Sequence, residues 1–258
     1  MFDLSTYLIA LKAMLIFGVI GWVISVIKNN VTLVDSMWSL FFLLASLVYS
    51  YFTPDSPREK LIIVMVTLWA LRLCIYLSWR NWHPHEDSRY ALIRKNNEPN
   101  FWVKSLYIIF GFQAVLAWII SLPLLAAIHS TKALNWLDYL GFSFWFFGFL
   151  FTTIADIQLS VFKADPFNQG KVLDTGLWRY SRHPNYFGEA CVWWGYFIIA
   201  LTAGGWWSVI SPLIMTFLLL KVSGVNLLES TIIDRRPAYA AYIKQTSAFI
   251  PMPPKLKV

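Results

Sequence analysis

The chain has 258 residues, 58% of them hydrophobic and only 14% charged, where a soluble domain carries about 25% charged residues, so an ordinary soluble enzyme is excluded. The formal net charge of +7 would suit nucleic acid, but the cations cluster in loops between apolar runs, where membrane orientation and an anionic ligand account for them better. Cys74 and Cys191 lie inside apolar runs without metal-ligand spacing, which leaves no basis for a disulfide framework or a zinc site.

In chain order, apolar runs predict helices over 5–27, 33–52, 60–80, 104–128, 135–159, 186–203 and 206–225, each close to the roughly 20 residues needed to cross a hydrocarbon core. The first lacks a basic leader and a small-residue cleavage site and is expected to be retained as a span. With the N-terminus outside, fifteen loop and tail cations fall on one side and three (Arg58, Lys60, Lys132) on the other. The fold expected is therefore a single all-α integral membrane domain of seven transmembrane helices, N-out and C-in. Ala203-Gly204-Gly205 should turn the last two helices into a hairpin, with Trp206 and Trp207 as interfacial anchors. The following NLLESTIIDRRPAYAAYIKQTSAFIP reads as a cytoplasmic amphipathic segment broken at Pro237, with Tyr239 and Tyr242 on one face of its second helix.

An ionisable residue at membrane depth costs on the order of 2.5–3.5 kcal/mol on insertion scales, so each needs a partner or a task. Asp35 opens the second predicted span with Trp38 beside it, Arg72 sits mid-span between Trp69 and Tyr76, Asp156 closes the fifth span and Glu189 enters the sixth. An Arg72–carboxylate ion pair would account for two of the four. Asp35 either faces interfacial water or, if buried, is partly protonated and able to donate a hydrogen bond to a substrate carbonyl. Gln113 and Gln158 read as helix–helix contacts, and His83, His85, Glu86 and Asp87 in WHPHED as a solvated loop rather than a metal cluster.

The densest chemistry lies in Gly176–Glu189, GLWRYSRHPNYFGE. Arg179, Arg182 and His183 are suited to phosphate oxygens. Pro184 favours a helix starting near Asn185, whose N-terminal amides and positive dipole end would lie beside those cations. An anionic ligand with a ring to stack fits this set; a basic, aromatic flank of a transmembrane helix explains the charges but not Asn185 and Glu189 together. Neither a Walker sequence nor a GxGxxG turn is present.

This motif, with IADIQLSVFK before it and YAAYIKQTSAFIP after it, resembles the steroid 5-alpha-reductase C-terminal domain family in its bacterial branch, most closely over about 150–251. The resemblance implies seven helices in a bacterial cytoplasmic membrane, NADPH in a cytoplasm-facing cavity, and a lipophilic, steroid-like enone as substrate. No nucleic acid and no obligate protein partner is implied; membrane lipid is the surrounding contact. Carried over by position, the resemblance places the family's functional residues on Asp35, Arg72, Asp156, Lys163, Asn185 and Glu189. Trp69 stands where the reductases have a catalytic tyrosine and Asp35 where they have glutamate. Asn226, Glu229 and Arg235 or Arg236 take the place of histidines near residue 231.

On this basis Asp35 is the expected acid, with Arg72 and the Trp69 or Trp38 indoles helping at the substrate. Lys163, Lys171, Arg179 and Arg182 are expected to hold phosphates. Asn185, Glu189 and Asp156 would take the amide and ribose hydroxyls, and Tyr180, Tyr186 and Tyr242 would supply flat faces. Two alternatives stand beside it: an S-adenosylmethionine-dependent methyltransferase of the isoprenylcysteine carboxyl type, which shares an RHPxYxG-like motif, and a noncatalytic lipid-binding protein.

Overall fold

The structure, a computed structural model, describes residues 2–82, 85–222 and 237–255. These residues are helical, and among them no strand forms; the nearest approach to a sheet is one isolated parallel bridge between Ser181 and Ser247. The helices are α1 (Leu4–Lys28), α2 (Leu33–Tyr51), α3 (Pro57–Arg80), α4 (Ser88–Asn97), α5 (Phe101–Ile120, π-helical over Leu106–Gly111), α6 (Leu122–Ile128), α7 (Trp136–Ala164), α8 (Pro184–Thr202), α9 (Trp206–Lys221) and α10 (Tyr239–Gln245). Five of them, α1, α2, α3, α5 and α7, are long and apolar enough to cross a membrane. The chain is a membrane protein with transmembrane helices.

The predicted sixth span does not meet that standard. In α8 the polar and small residues Asn185, Gly188, Glu189 and Gly195 interrupt the apolar run. Of the predicted seventh span, α9 covers Trp206–Lys221, and residues 223–225 lie outside the described residues. The predicted 104–128 span divides at Ser121, because Pro123 falls in the first turn of α6 and cannot donate a backbone hydrogen bond.

The chain forms two compact units. The first comprises residues 1–135 and 200–208. Asp3 caps α1 by accepting from the Ser5 and Thr6 amides at 3.0 and 3.2 Å, and Asn29 ends the helix in a left-handed conformation. Along α1 the small or slender Ala10, Met14, Gly18 and Gly21 are buried, while Ile16, Ile20 and Ile27 face outward. Branched aliphatics outside and small side chains inside suit a helix whose solvent is lipid. Helix α2 packs between α1 and α3, and α5 packs against α1 and α2. Ser56 caps α3 by accepting from the Glu59 amide, with Pro57 at the first helical position. Arg58, one of the three cations expected on the outer side, is fully buried and donates to Ser130 Oγ, Lys132 O and Ala133 O at 2.8, 3.0 and 2.9 Å. The turn at 203–205 forms as expected, with Gly204 at φ +81° and the Gly205 amide bonded to Ala200 O; Trp206 is exposed.

The second unit comprises residues 136–199 and 209–258. Its spine is a glycine seam between α7 and α8. A Cβ placed on Gly148 would lie 2.5 Å from Gly188 O, one on Gly188 2.6 Å from Thr152 N, and one on Gly195 2.7 Å from Trp145 N. The two helices therefore meet backbone to backbone at positions seven residues apart on each. Helix α8 starts at Pro184, where the missing amide hydrogen of proline costs nothing.

Candidate functional site

The residues singled out by the sequence fall into two groups, one in each unit. In the second unit the seam carries Asp156, near the C-terminal end of α7, to the first turn of α8, where Asn185 Nδ2 donates to Asp156 Oδ1 at 3.1 Å. Asp156 and Glu189 are buried, as are Arg182 and His183. The His183 ring stacks on Tyr186 with centroids 5.5 Å apart and planes 7° from parallel. Lys163 lies in the last turn of α7, Lys171 beyond it, and Arg179 ends a 3-10 turn over Gly176–Arg179 with its side chain exposed. Gly176 must be glycine: its φ is +59°, and a Cβ there would fall 2.5 Å from the Gln158 amide, which accepts from the Leu177 amide at 3.0 Å. Gln158 thus fixes the start of the motif rather than gluing two helices.

Two expected ligand residues have structural partners. Arg182 Nη1 donates to Ile243 O at 3.1 Å and to Thr246 O at 2.7 Å. Tyr242, buried like Tyr239, donates its hydroxyl to Trp178 O, so both tyrosines of α10 face inward as their spacing implies. Tyr180 is exposed. Asn226, Glu229, Arg235 and Arg236 lie outside the described residues.

In the first unit Asp35 stands in the first turn of α2, where the helix dipole favours a negative charge. Its partners come from a stretch read as loop. Residues 88–97 form α4, capped by Asp87, which accepts from the Arg89 amide at 2.9 Å. From this helix Arg89 Nη2 donates to Asp35 Oδ2 at 2.7 Å and the Tyr90 hydroxyl to Asp35 Oδ1 at 2.6 Å; Arg80 Nη2 lies 3.9 Å from Oδ2. Both Asp35 oxygens therefore accept here, one from Arg89 and one from Tyr90. The buried hydroxyl of Tyr90, reached by Gln113 Nε2 at 3.4 Å, is the proton-bearing group of this set. Burial first, and then the Asp35 carboxylate, raises the Tyr90 pKa, so the phenol carries its proton at neutral pH.

The solvated-loop reading of WHPHED gives way to an anchored one. Glu86 accepts from Arg94 Nε and Nη2, both at 2.8 Å, and from the Val31 amide at 2.9 Å. Burial pushes the Glu86 carboxyl up, but Arg94 and the Val31 amide outweigh it and hold it below its ordinary value; Asp87 is held down likewise against burial by Arg89. Among the described residues no group of three or more His, Cys, Asp or Glu could hold a metal, and His83 lies outside them. Trp69 is fully buried, edge-on to Phe42, which Trp38 also meets edge-on. The Arg72 guanidinium lies over the Tyr76 ring, 5.7 Å from its centroid.

Arg89 and Tyr90 are the residues the sequence reading missed. Asp before SRYALIRKNN is an N-cap signature and would have shown α4, but nothing local joins Tyr90 to a residue 55 positions away. A cavity of about 240 Å³ in the first unit, lined by His129, Ser130, Thr131, Lys132, Gly204 and Trp207 among others, contains none of the predicted site residues.

The family described as Protein of unknown function (DUF1295) matches residues 21–246, which takes in both groups. The chain belongs to the DUF1295 family. It is also similar to an uncharacterized protein of the yeast Schizosaccharomyces pombe, with 24% identity over 97% of this chain and 81% of that protein. No solved structure matches it.

Proposed function

We propose that this DUF1295 protein is an NADPH-dependent reductase of a C=C bond conjugated to a ketone in a lipophilic, steroid-like substrate. The observation that carries the reading is the Asp35–Tyr90 pair: a protonated phenol, buried and held at 2.6 Å by a carboxylate that Arg89 also binds. Reduction of an enone needs a hydrogen-bond donor at the carbonyl oxygen, where negative charge develops. Tyr90 would fill the role left open by Trp69 by turning its one hydroxyl hydrogen from Asp35 to the ketone oxygen, where the negative charge develops, while Arg89 keeps the Asp35 carboxylate paired. NADPH, when bound, supplies hydride to the β-carbon. The donor set of the second unit fits such a cofactor: Asp156, Glu189 and Asn185 offer acceptors and an amide for ribose and carboxamide, and Arg179 offers an exposed guanidinium for phosphate. The α-carbon takes its proton from solvent.

Seven spans with the N-terminus outside, in a bacterial cytoplasmic membrane, belong to this proposal. Helices α8 and α9 would then be the sixth and seventh spans. A second reading is favoured by one observation. Arg182 binds backbone carbonyls while two carboxylates of the same unit, Asp156 and Glu189, are buried, a balance that suits the cationic S-adenosylmethionine of a methyltransferase.

The deciding experiment is a thermal shift of detergent-solubilised protein with NADPH, NADH or S-adenosylmethionine, since a ligand binding only the folded state raises Tm. A rise with NADPH, followed by NADPH oxidation on adding a 3-keto-4-ene steroid, is expected. Tyr90→Phe should then cut turnover by about 10²- to 10⁴-fold, the usual range for a general acid, with the NADPH shift retained. A rise with S-adenosylmethionine alone would transfer the assignment to the methyltransferase.

A further inference from the structure

The RYSRHP motif and the C-terminal segment are joined by a dense set of hydrogen bonds. The Arg182 amide donates to Ser247 O at 2.8 Å, the Met252 amide to Tyr180 O at 2.9 Å and Ser181 Oγ to Phe249 O at 2.8 Å, while Tyr242 donates to Trp178 O. Ser181 Oγ in turn accepts from the His183 amide at 3.1 Å, which couples this contact to the entry of α8. Arg182 is the centre. Its Nη1 binds Ile243 O and Thr246 O, carbonyls at the C-terminal end of α10 that have no later helical amide to accept from. A guanidinium there also meets the negative end of the helix dipole.

We propose that residues 239–255 are a strap across the motif and that Arg182 is a positioning residue, the clasp of this strap, rather than a phosphate ligand. The strap holds Arg179, Tyr180 and the start of α8 in one arrangement. Thr246 Oγ1 reaches Arg179 O at 3.5 Å, and the Lys255 amide closes the strap on itself at Gln245 O, 2.9 Å. Closing the clasp orders the backbone that presents Arg179 and Asn185, so cofactor affinity depends on a residue that does not touch the cofactor. The cofactor consequence rests on the NADPH reading; the clasp itself does not.

The test measures amide exchange of residues 242–255 in solubilised full-length protein without nucleotide, and the NADPH thermal shift in parallel. Arg182→Gln should speed exchange at the Met252 and Lys255 amides at least tenfold, and Arg182→Lys should restore part of the protection. Ser181→Ala removes no charge, yet should also speed exchange and diminish the NADPH shift. Unchanged exchange in Arg182→Gln overturns the clasp. Faster exchange with a full NADPH shift in Ser181→Ala overturns the coupling to cofactor. If wild-type protein shows no NADPH shift at all, the reductase reading fails while the exchange result still decides the clasp. Should Arg182→Gln not fold, Arg182→Lys decides it by the same measurement: exchange at the wild-type rate in that variant, which loses the planar fork that spans Ile243 O and Thr246 O, overturns the clasp.

Discussion

Substituting alanine at Gly148 and at Gly18 should move stability in opposite directions. Both glycines lie inside apolar helices, where alanine is worth about 1 kcal/mol over glycine by intrinsic propensity. At Gly18 the nearest atoms to a new Cβ are Phe110 O, Phe110 C and Ala114 Cβ at 3.5, 3.8 and 3.9 Å, ordinary contact distances, so the propensity term survives. At Gly148 the new Cβ would meet Gly188 O, Cys191 Cβ and Val192 N at 2.5, 2.7 and 2.8 Å. Overpacking costs about 1–3 kcal/mol, and because two of the struck atoms are backbone that no rotamer can move, the upper end applies. The net expectation is a loss of about 2 kcal/mol for Gly148→Ala against a gain of up to about 1 kcal/mol for Gly18→Ala. At roughly 2–4 °C per kcal/mol for a chain of this size, Gly148→Ala should lower Tm by about 4–8 °C. Differential scanning fluorimetry in one detergent reads both. A Gly148→Ala protein as stable as wild type would refute the seam, and with it the account of why Asp156 and Asn185 are 3.1 Å apart.

Two further outcomes follow from the charged contacts of the first unit. The Glu86 carboxyl is held below its ordinary value of 4.5, so its contribution to stability is present above about pH 4.5 and is lost as pH falls through its depressed folded value. Exchange at the Val31 amide should therefore accelerate on acidification from pH 5 to pH 3 beyond the intrinsic trend, and an Arg94→Ala variant should show the acceleration already at pH 7. Arg58→Ala leaves the buried Ser130 hydroxyl and the partly buried Lys132 and Ala133 carbonyls without their donor, and an unpaired buried polar group costs about 1–3 kcal/mol, so a loss of about 2 kcal/mol in unfolding free energy is expected by denaturant titration; a loss below about 1 kcal/mol would mean that water reaches the Ser130–Ala133 turn.

Long apolar runs made the first five spans legible, because lipid demands continuous apolar length and nothing else in the sequence imitates it. The start of α8 at Pro184, the turn at Gly204 and the shared face of Tyr239 and Tyr242 were also local and were read correctly. What could not be read was pairing across sequence distance. Asp35 finds Arg89 and Tyr90 through α4, a polar helix with no apolar period to advertise it, and Arg182 finds carbonyls more than 60 residues later. The glycine seam is likewise invisible one helix at a time, since Gly141 and Gly148 acquire meaning only opposite Gly188 and Gly195.

The partners of the arginines alter the phosphate argument. Arg80, Arg89 and Arg94 face Asp35, Asp87 and Glu86; Arg58 and Arg182 face carbonyls. A basic motif counted from sequence therefore overstates the charge it can offer a ligand, and within RYSRH the exposed guanidinium is that of Arg179. If it binds a phosphate, Arg179→Gln removes charge-assisted hydrogen bonds worth about 1.5–3 kcal/mol, or roughly ten- to hundredfold in Kd for NADPH, and flattens the dependence of Kd on salt. It should leave exchange in the strap at the wild-type rate, because the Arg179 contact to Thr246 is through its carbonyl. Arg182→Gln should loosen the strap and weaken binding with the salt dependence retained. Titrations at two salt concentrations separate the two arginines: an unchanged Kd and salt slope in Arg179→Gln would remove the last charge of this motif from the cofactor.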